Sequence, residues 1–172
     1  MIEIVPLSRA APDAVEAVLD AAFGTDRHGR TAYRMRAGVH AVPHLSFAAF
    51  DGDALIGTLQ MWPVELAQPD GRAEPLVLLG PVAVIPCRQR DGIGRKMMDH
   101  ALRAADSSGE TALMLIGDPE YYGRFFGFDA DATGSWEIPG PVERRRLLAR
   151  LTGGRTLPAT GAIRPRQAAL AG

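Results

Sequence analysis

The sequence has a single cysteine, Cys87, so no disulfide can form within the chain. Neither sign of charge is in excess, with a formal net charge of −1. That balance leaves no electrostatic footprint for nucleic acid and no polybasic anchor for a membrane surface. No uninterrupted apolar run approaches a membrane span. The opening MIEIVPLSRA lacks a basic segment followed by an apolar one, so a signal peptide is not expected. A reducing cytoplasm fits the lone thiol, and a cytoplasmic protein is the expectation. No repeat is present. No His, Cys, Asp or Glu cluster has metal-ligand spacing, and no metal is expected. What remains is ordinary globular material: 172 residues, 47% apolar and 23% charged, enough for one domain with a sizeable core. The expected organisation is a single domain over 1–172, with a loosely ordered, Gly- and Pro-rich tail over 152–172.

Periodicity supplies the elements. Ile2 to Leu7 alternates as a short strand. Pro12 suits a first helical turn, Val15, Val18, Leu19, Ala22 and Phe23 recur at helical spacing, and Gly24 ends the helix. Tyr33 to Gly38 reads as a short helix with Arg34 and Arg36 exposed. Leu45 to Phe50 and Ala54 to Val64 form a hairpin around Asp51-Gly52-Asp53. After a turn at Gln68-Pro69-Asp70-Gly71, the apolar run Leu76 to Val84 reads as a central strand. Pro81 inside it removes a ladder donor, so pairing must break on one side there. Ile93, Met97, Met98, Ala101, Leu102 and Ala105 form one face of a helix that Gly109 ends. Thr111 to Ile116 is a further strand, parallel to the previous one because the pair makes a βαβ unit. Glu120 to Phe126 is a short helix, and Ser135 to Ile138 begins a late strand. Val142 to Leu151 is ambiguous: its propensity is helical, while as a strand it puts Arg145, Leu147, Ala149 and Leu151 on one face.

Two glycines, Gly92 and Gly94, sit where the central strand hands over to the long helix. A helix start has several N–H groups without partners and a partial positive charge. Bare glycines let a phosphate approach them. Arg88, Arg90, Arg95 and Lys96 add cations, while Asp91 opposes them. The competing reading is a plain strand-to-helix turn. The Walker pattern is absent, and the dinucleotide fingerprint fails because Met97 stands at its third glycine.

The stretch LGPVAVIPCRQRDGIGR, Leu79 to Arg95, resembles the GNAT superfamily of acetyl-CoA-dependent N-acetyltransferases. It carries that family's V-x-P-x-x-Q/R-x-x-G-x-G/A motif with Val84, Pro86, Gln89, Gly92 and Gly94 in place. LMLIGDPEYYGRFFGF, Leu113 to Phe128, resembles the strand, helix and "GF" ending that follow, and its GDPxYY is similar to a bacterial subgroup of predicted acetyltransferases. The early RHGRTAYRMRAG and the late PGPVERRRLLARL extend the likeness over nearly the whole chain. The resemblance implies an α/β (α+β) fold with a mixed sheet of six or seven strands, splayed between the fourth and fifth and flanked by helices. Acetyl-CoA, as co-substrate, would lie in the opening. Val82, Ala83 and Val84 would bond its pantetheine arm, and Gln89, Arg90, Asp91, Gly92, Ile93, Gly94 and Arg95 would hold its pyrophosphate. It also makes Arg145 to Leu151 a strand. The implied partner is a small-molecule or peptide amine, with no nucleic acid and no membrane, and a homodimer is allowed.

Transfer of an acetyl group to an amine needs a deprotonated amine, an oriented thioester, a stabilised oxyanion and a protonated leaving thiolate. The family's tyrosine neighbourhood holds Tyr121 and Tyr122, about 100° apart on a helix, so only one can face the sulfur. Counting from Gly117-Asp118-Pro119 places Tyr122 in the catalytic position, with an extra phenylalanine after it. The general base is not readable. Asp118 is equally a helix N-cap ahead of Pro119, Glu65 a solvated strand end, and His28, His40 and His44 surface residues. Trp62 and Trp136 either line an acceptor pocket or pack in the core, and Cys87 reads as a bystander. Two alternatives remain beside the enzyme: an acyl-CoA-binding sensor of the same fold, and a regulatory domain that uses the glycine loop for another nucleotide.

Overall fold

Proline has no N–H to leave unpaired at a helix start, and α1 (Pro12–Phe23) begins on Pro12. Its buried stripe is Val15, Val18 and Leu19, and the Gly24 N–H closes it on the Asp20 carbonyl at 2.8 Å. The strands β1 (Ile2–Pro6) and β2 (Phe47–Asp51) are antiparallel, and a tight turn folds β2 back into β3 (Ala54–Ala67). Between α1 and β2 lies the five-residue helix α2 (Thr31–Met35). The turn after β3 is closed by the Gly71 N–H on the Gln68 carbonyl at 3.1 Å. There follow β4 (Ala73–Val84), α3 (Ile93–Ser107) and β5 (Ala112–Ile116), with β4 and β5 parallel as a strand–helix–strand crossover requires. Next come α4 (Pro119–Phe126), β6 (Ser135–Glu137), β7 (Leu147–Leu151) and β8 (Thr160–Pro165). This computed structural model describes residues 1–167.

Among the described residues the eight strands belong to one mixed sheet, ordered β1-β2-β3-β4-β5-β7, with β8 on β3 and β6 on β8. The expected six or seven strands fall short by β8, which lies in the segment expected as a loose tail. Its partner explains it. β3 is longer than β2, and their register ends at Leu59. β8 pairs with Val64–Ala67 of β3 instead, so backbone groups there find a ladder despite the glycine and proline around them. The last part of the expected tail, residues 168–172, lies outside the described residues.

The chain forms two compact units. The first comprises Met1–His28, Ala41–Met61 and Pro81–Ser108. Its core packs Val15, Val18 and Leu19 of α1 with Ala48 and Ala83. The six apolar residues of α3 that define its sequence stripe are the six it buries. Met97 explains Gly57: a Cβ there would lie 2.9 Å from the Met97 Cε. The second unit comprises Gly29–His40, Trp62–Gly80 and the chain from Gly109. Its core gathers Val64, Leu66, Leu76, Leu78, Met114, Trp136, Leu147 and Ile163. Both readings of Val142 to Leu151 hold in part: Arg144–Arg146 is a single 3-10 turn, and Leu147–Leu151 is the strand β7, antiparallel to β5. Pairing with β5 outweighs helical propensity there.

Arg36 corrects the sequence reading. It was expected to be exposed and is 7% exposed. Its guanidinium lies over the rings of Tyr33 and Trp62, at 3.8 and 4.1 Å from their centroids. Arg34 is exposed, as expected.

Candidate active site

In the first unit, the end of β4 and the start of α3 are joined by a short 3-10 turn, Pro86–Arg88, and a loop. Ile85 donates its N–H to the Ile56 carbonyl of β3 at 3.0 Å. Successive N–H groups of a strand point to opposite edges, so the Val84 and Val82 N–H groups face the edge away from β3. The Gln89 side chain turns back and donates Nε2–H to the Val84 carbonyl at 3.1 Å, tying the loop to the strand end.

Gly92 is the N-cap of α3, with φ +74°, a conformation that favours glycine. No side chain caps the helix and its first turn holds no acid. Its first N–H groups therefore have no intrahelical acceptor and no capping carboxylate. Gly94 lies in the first turn. A Cβ there would meet only the Val84 Cγ2, at an ordinary 3.9 Å. Packing does not require that glycine, and helical glycine costs about 1 kcal/mol relative to alanine. The backbone is bare towards open space.

The loop's charges sort into two sets. Arg88 donates to Asp91 at 2.5 Å and to Asp51 of the β2–β3 turn at 3.0 Å. Both bonds hold the Arg88 guanidinium more firmly protonated, and Arg88 in turn holds the Asp51 carboxyl below its usual range. The negative charge of Asp91, which opposed a phosphate in the sequence reading, is thus engaged by Arg88. Arg90, Arg95 and Lys96 are exposed around the helix start.

In the second unit, β4 and β5 are in register over two pairs, Val77 with Leu113 and Leu78 with Met114. β4 runs on to Gly80 with φ +137°. At the end of β5, the Gly117 N–H donates to the Arg146 carbonyl at 2.9 Å. Asp118 then caps α4, its carboxylate accepting the Glu120 N–H at 3.0 Å. Hydrogen bonding to Glu120, through the side chain first and then the backbone, holds the Asp118 carboxyl below its usual range. That is the structural role the sequence left open beside the basic one.

The Tyr122 ring lies over Gly117: a Cβ at 117 would come within 2.5 Å of Cε2. Gly117 is therefore the seat of the tyrosine, a role the sequence reading missed although the glycine stood in the quoted motif. Burial, and secondarily Tyr121, push the Tyr122 phenol above its usual range. Tyr121 meets Tyr122 edge to face at 5.0 Å and packs against Phe125 and Phe126 at 5.5 Å. The doubled phenylalanine divides its work: Phe126 is buried, Phe125 is exposed, and Gly127 ends the helix so that Phe128 returns to the core.

Glu65 is tied to Arg164 by a 2.6 Å ion pair. His28, His40 and His44 are exposed, as is Cys87. Trp136 is fully buried and donates to the Pro158 carbonyl at 3.1 Å, a core residue. Trp62 donates to the Gly80 carbonyl. Among the described residues, no group of three His, Cys, Asp or Glu could hold a metal ion, and no helix is long and apolar enough to cross a membrane.

The chain is similar to known acetyltransferases. The family model for the acetyltransferase (GNAT) domain matches residues 3–130. An uncharacterized N-acetyltransferase of Streptomyces avermitilis is 34% identical over 116 residues, 66% of this chain and 27% of that protein. The chain thus spans about a quarter of that relative's length. A GNAT family acetyltransferase from Brucella melitensis, solved with acetyl-CoA, has a TM-score of 0.67 at 27% identity, over 99% of this chain and 98% of that one. The Escherichia coli GNAT family N-acetyltransferase YhbS, solved with CoA, has a TM-score of 0.70 at 22% identity, over 96% and 89% of the two chains.

Proposed function

The chain belongs to the GNAT acetyltransferase family, and from that premise we propose that it transfers an acetyl group from acetyl-CoA to a primary amine. The observation that carries the reading is the start of α3, where Gly94 is bare without a packing reason and the helix has no cap of its own. Such a start suits a pyrophosphate, through its N–H groups and its dipole. Gln89, Arg90, Asp91, Gly92, Ile93, Gly94 and Arg95 form that loop in this reading. Val82, Ala83 and Val84 present the strand edge that takes the pantetheine arm. The relative solved with acetyl-CoA supports the choice of carrier.

In the proposed reaction the acceptor nitrogen attacks the thioester carbon directly, the carbon–sulfur bond breaks, and the amine proton passes to water. The Val84 N–H stabilises the oxyanion as it forms. Tyr122 gives its proton to the leaving sulfur and recovers one from the solvent that received the amine proton. Its raised pKa keeps the phenol protonated throughout the neutral range, so the acid form is the resting form. Asp118 and Glu65 are committed to a cap and an ion pair, and proton removal from the amine is assigned to solvent.

The test is a melting curve with acetyl-CoA, followed by a panel of primary amines read by free-thiol release. At about a hundred times its Kd, the ligand adds roughly 2.7 kcal/mol, a rise of several degrees in Tm. Thiol release with at least one amine is expected. A shift with ATP or NAD and none with acetyl-CoA overturns the reading. A shift with acetyl-CoA and no transfer to any amine assigns the domain to acyl-CoA sensing instead.

A further inference from the structure

Tyr122 rests over Gly117, the first residue past β5, where a Cβ would come within 2.5 Å of its ring. The same Cβ would lie 3.1 Å from the Leu115 Cδ1, so position 117 and Leu115 share a face of the sheet. Opposite them runs β7, with Leu148 beside Leu115 and Leu147 beside Ile116. The register continues one step further, because the Gly117 N–H donates to the Arg146 carbonyl at 2.9 Å. Directly opposed residues of an antiparallel pair share a face. Arg146 therefore stands opposite a glycine whose side-chain place the Tyr122 ring has taken.

The neighbouring cations are engaged elsewhere. Arg144 donates to the Trp136 carbonyl, and Arg145 to the Glu120 carboxylate. Arg146 is exposed, and among the described residues no hydrogen bond or ion pair holds its guanidinium. Its charge reaches the phenol all the same. Burial first, then Tyr121 and the Asp118 carboxylate push the Tyr122 phenol up, and Arg146 opposes them. The titratable groups that bear on the ring are thus Tyr121 from α4, Asp118 from its cap and Arg146 from the 3-10 turn before β7. Gly117, Leu115, Phe126 and Phe128, which also lie around it, bring no charge.

That opposition matters for an acid. An ordinary phenol has a pKa of about 10 and an alkyl thiol, like that of cysteine, one of about 8.5, so giving a proton to a thiolate is already uphill. Burial steepens the slope, because the phenolate left behind is a charge where charge is disfavoured. A nearby arginine, charged throughout this range, lowers it again. We propose that Arg146 is a positioning residue for the acid: from its place opposite Gly117, its guanidinium stabilises the phenolate that Tyr122 becomes on giving its proton to the leaving sulfur, until solvent returns a proton. This rests on the acetyl-CoA reading above.

Replacing the three tyrosines of the chain by 3-fluorotyrosine makes each phenol visible to fluorine NMR, and Tyr122→Phe identifies the Tyr122 signal. That signal is expected to titrate at higher pH in Arg146→Gln than in wild type and to stay near wild type in Arg146→Lys. The difference should fade near 1 M salt, where the screening length is about 3 Å. Loosened packing alone would move the titration the other way, towards an ordinary phenol. Turnover with the best amine of the panel should fall about threefold to fivefold in Arg146→Gln, the scale of an exposed pair. The Kd for acetyl-CoA should not change, and on a Tyr122→Phe background the substitution should cost nothing further. A titration that stays or moves down in Arg146→Gln, an unchanged turnover, or an equal fall with and without the Tyr122 phenol overturns the proposal and leaves the acetyl-CoA reading intact. A wild-type protein that releases no thiol with any amine overturns both.

Discussion

Two helices of this chain follow strands of the same sheet, and they begin in opposite ways. α4 opens on Asp118, whose carboxylate accepts the Glu120 N–H, with Pro119 at the first position and an acid in the first turn. α3 opens on Gly92, with no side-chain cap and no acid in its first turn. Each start presents orphan N–H groups and the positive end of a dipole. The chain answers one from within and leaves the other for something outside. The difference teaches where to look for an anion: a helix start that forgoes ordinary stabilisation, on backbone that packing does not require to be bare, is the place the proposed function assigns to the pyrophosphate.

The largest effect is expected from closing the open start. Gly94→Asp puts a carboxylate in the first turn of α3, where the space admits it. Replacing glycine and complementing the dipole should together stabilise the protein by about 0.5–1 kcal/mol. The same carboxylate occupies and repels the pyrophosphate, so affinity for acetyl-CoA should fall at least about 100-fold. Tm of the unliganded protein and calorimetry give the two readings. Opposite signs support the reading; parallel losses mean that the glycine serves only the turn.

In the proposed reaction the helix with the closed start carries the acid, Tyr122. Tyr122→Phe should lower kcat by about 100-fold, at the lower end for a general acid, with the Kd for acetyl-CoA unchanged. Tyr121→Phe should cost less than about threefold on the same scale. Gly117→Ala pushes on the Tyr122 ring from below, and should reproduce the Tyr122→Phe loss of kcat together with a lowered Tm. Single-turnover thiol release with the best amine from the panel distinguishes these outcomes. The reverse ranking of the tyrosines would move the acid to Tyr121.

A smaller effect comes from opening the closed start. Asp118→Ala removes the cap and should lower Tm by a few degrees while leaving kcat within about twofold, since the residue acts on the helix. The pH sign follows from its depressed pKa. The cap's stabilisation is fully present above the unfolded carboxyl's usual value of 3.8 and is lost as pH falls through the lower folded value. The Tm difference between wild type and variant should therefore be constant at neutral pH and shrink in strong acid. A variant that keeps its Tm but loses turnover would make Asp118 the general base.

Much of this contrast was legible in the residue order. Helical spacing marked α1 and the buried face of α3, because apolar residues recurring every 3.6 positions line one side of a helix and no side of a strand. The glycine spacing and the motif around it located the open start. Asp118 ahead of Pro119 offered a cap beside the role of a base, and the structure shows the cap. Three features were beyond the reach of pattern. Arg36 read as surface because its burial depends on Tyr33 and on Trp62, a residue 26 positions away in sequence. β8 read as tail because its pairing depends on an edge of β3 that β2 leaves free. Gly117 read as punctuation because the ring that needs it arrives one helical turn later. The first two depend on residues distant in sequence, and the third on a contact across the strand-to-helix turn that spacing alone does not reveal.

The smallest expected effect sharpens the comparison from the other side. The open start already has one carboxylate nearby, Asp91, and the structure gives it to Arg88. Asp91→Asn removes that charge without changing the size of the side chain. Arg88 keeps its second partner, Asp51, so the loop stays anchored to the β2–β3 turn. With one negative charge fewer and Arg88 less engaged, affinity for acetyl-CoA should rise, by no more than about threefold, because exposed pairs contribute little. The gain should be visible in dilute buffer and vanish near 1 M salt, where the screening length falls to about 3 Å. Adding a carboxylate at 94 and removing one at 91 should thus move affinity in opposite directions and by very different amounts. The first blocks the backbone contact itself, while the second changes only the field around it. If Asp91→Asn instead weakens binding by tenfold or more at every salt concentration, then the Arg88–Asp91 bond shapes the loop, and the loop's conformation, more than its open N–H groups, governs the site.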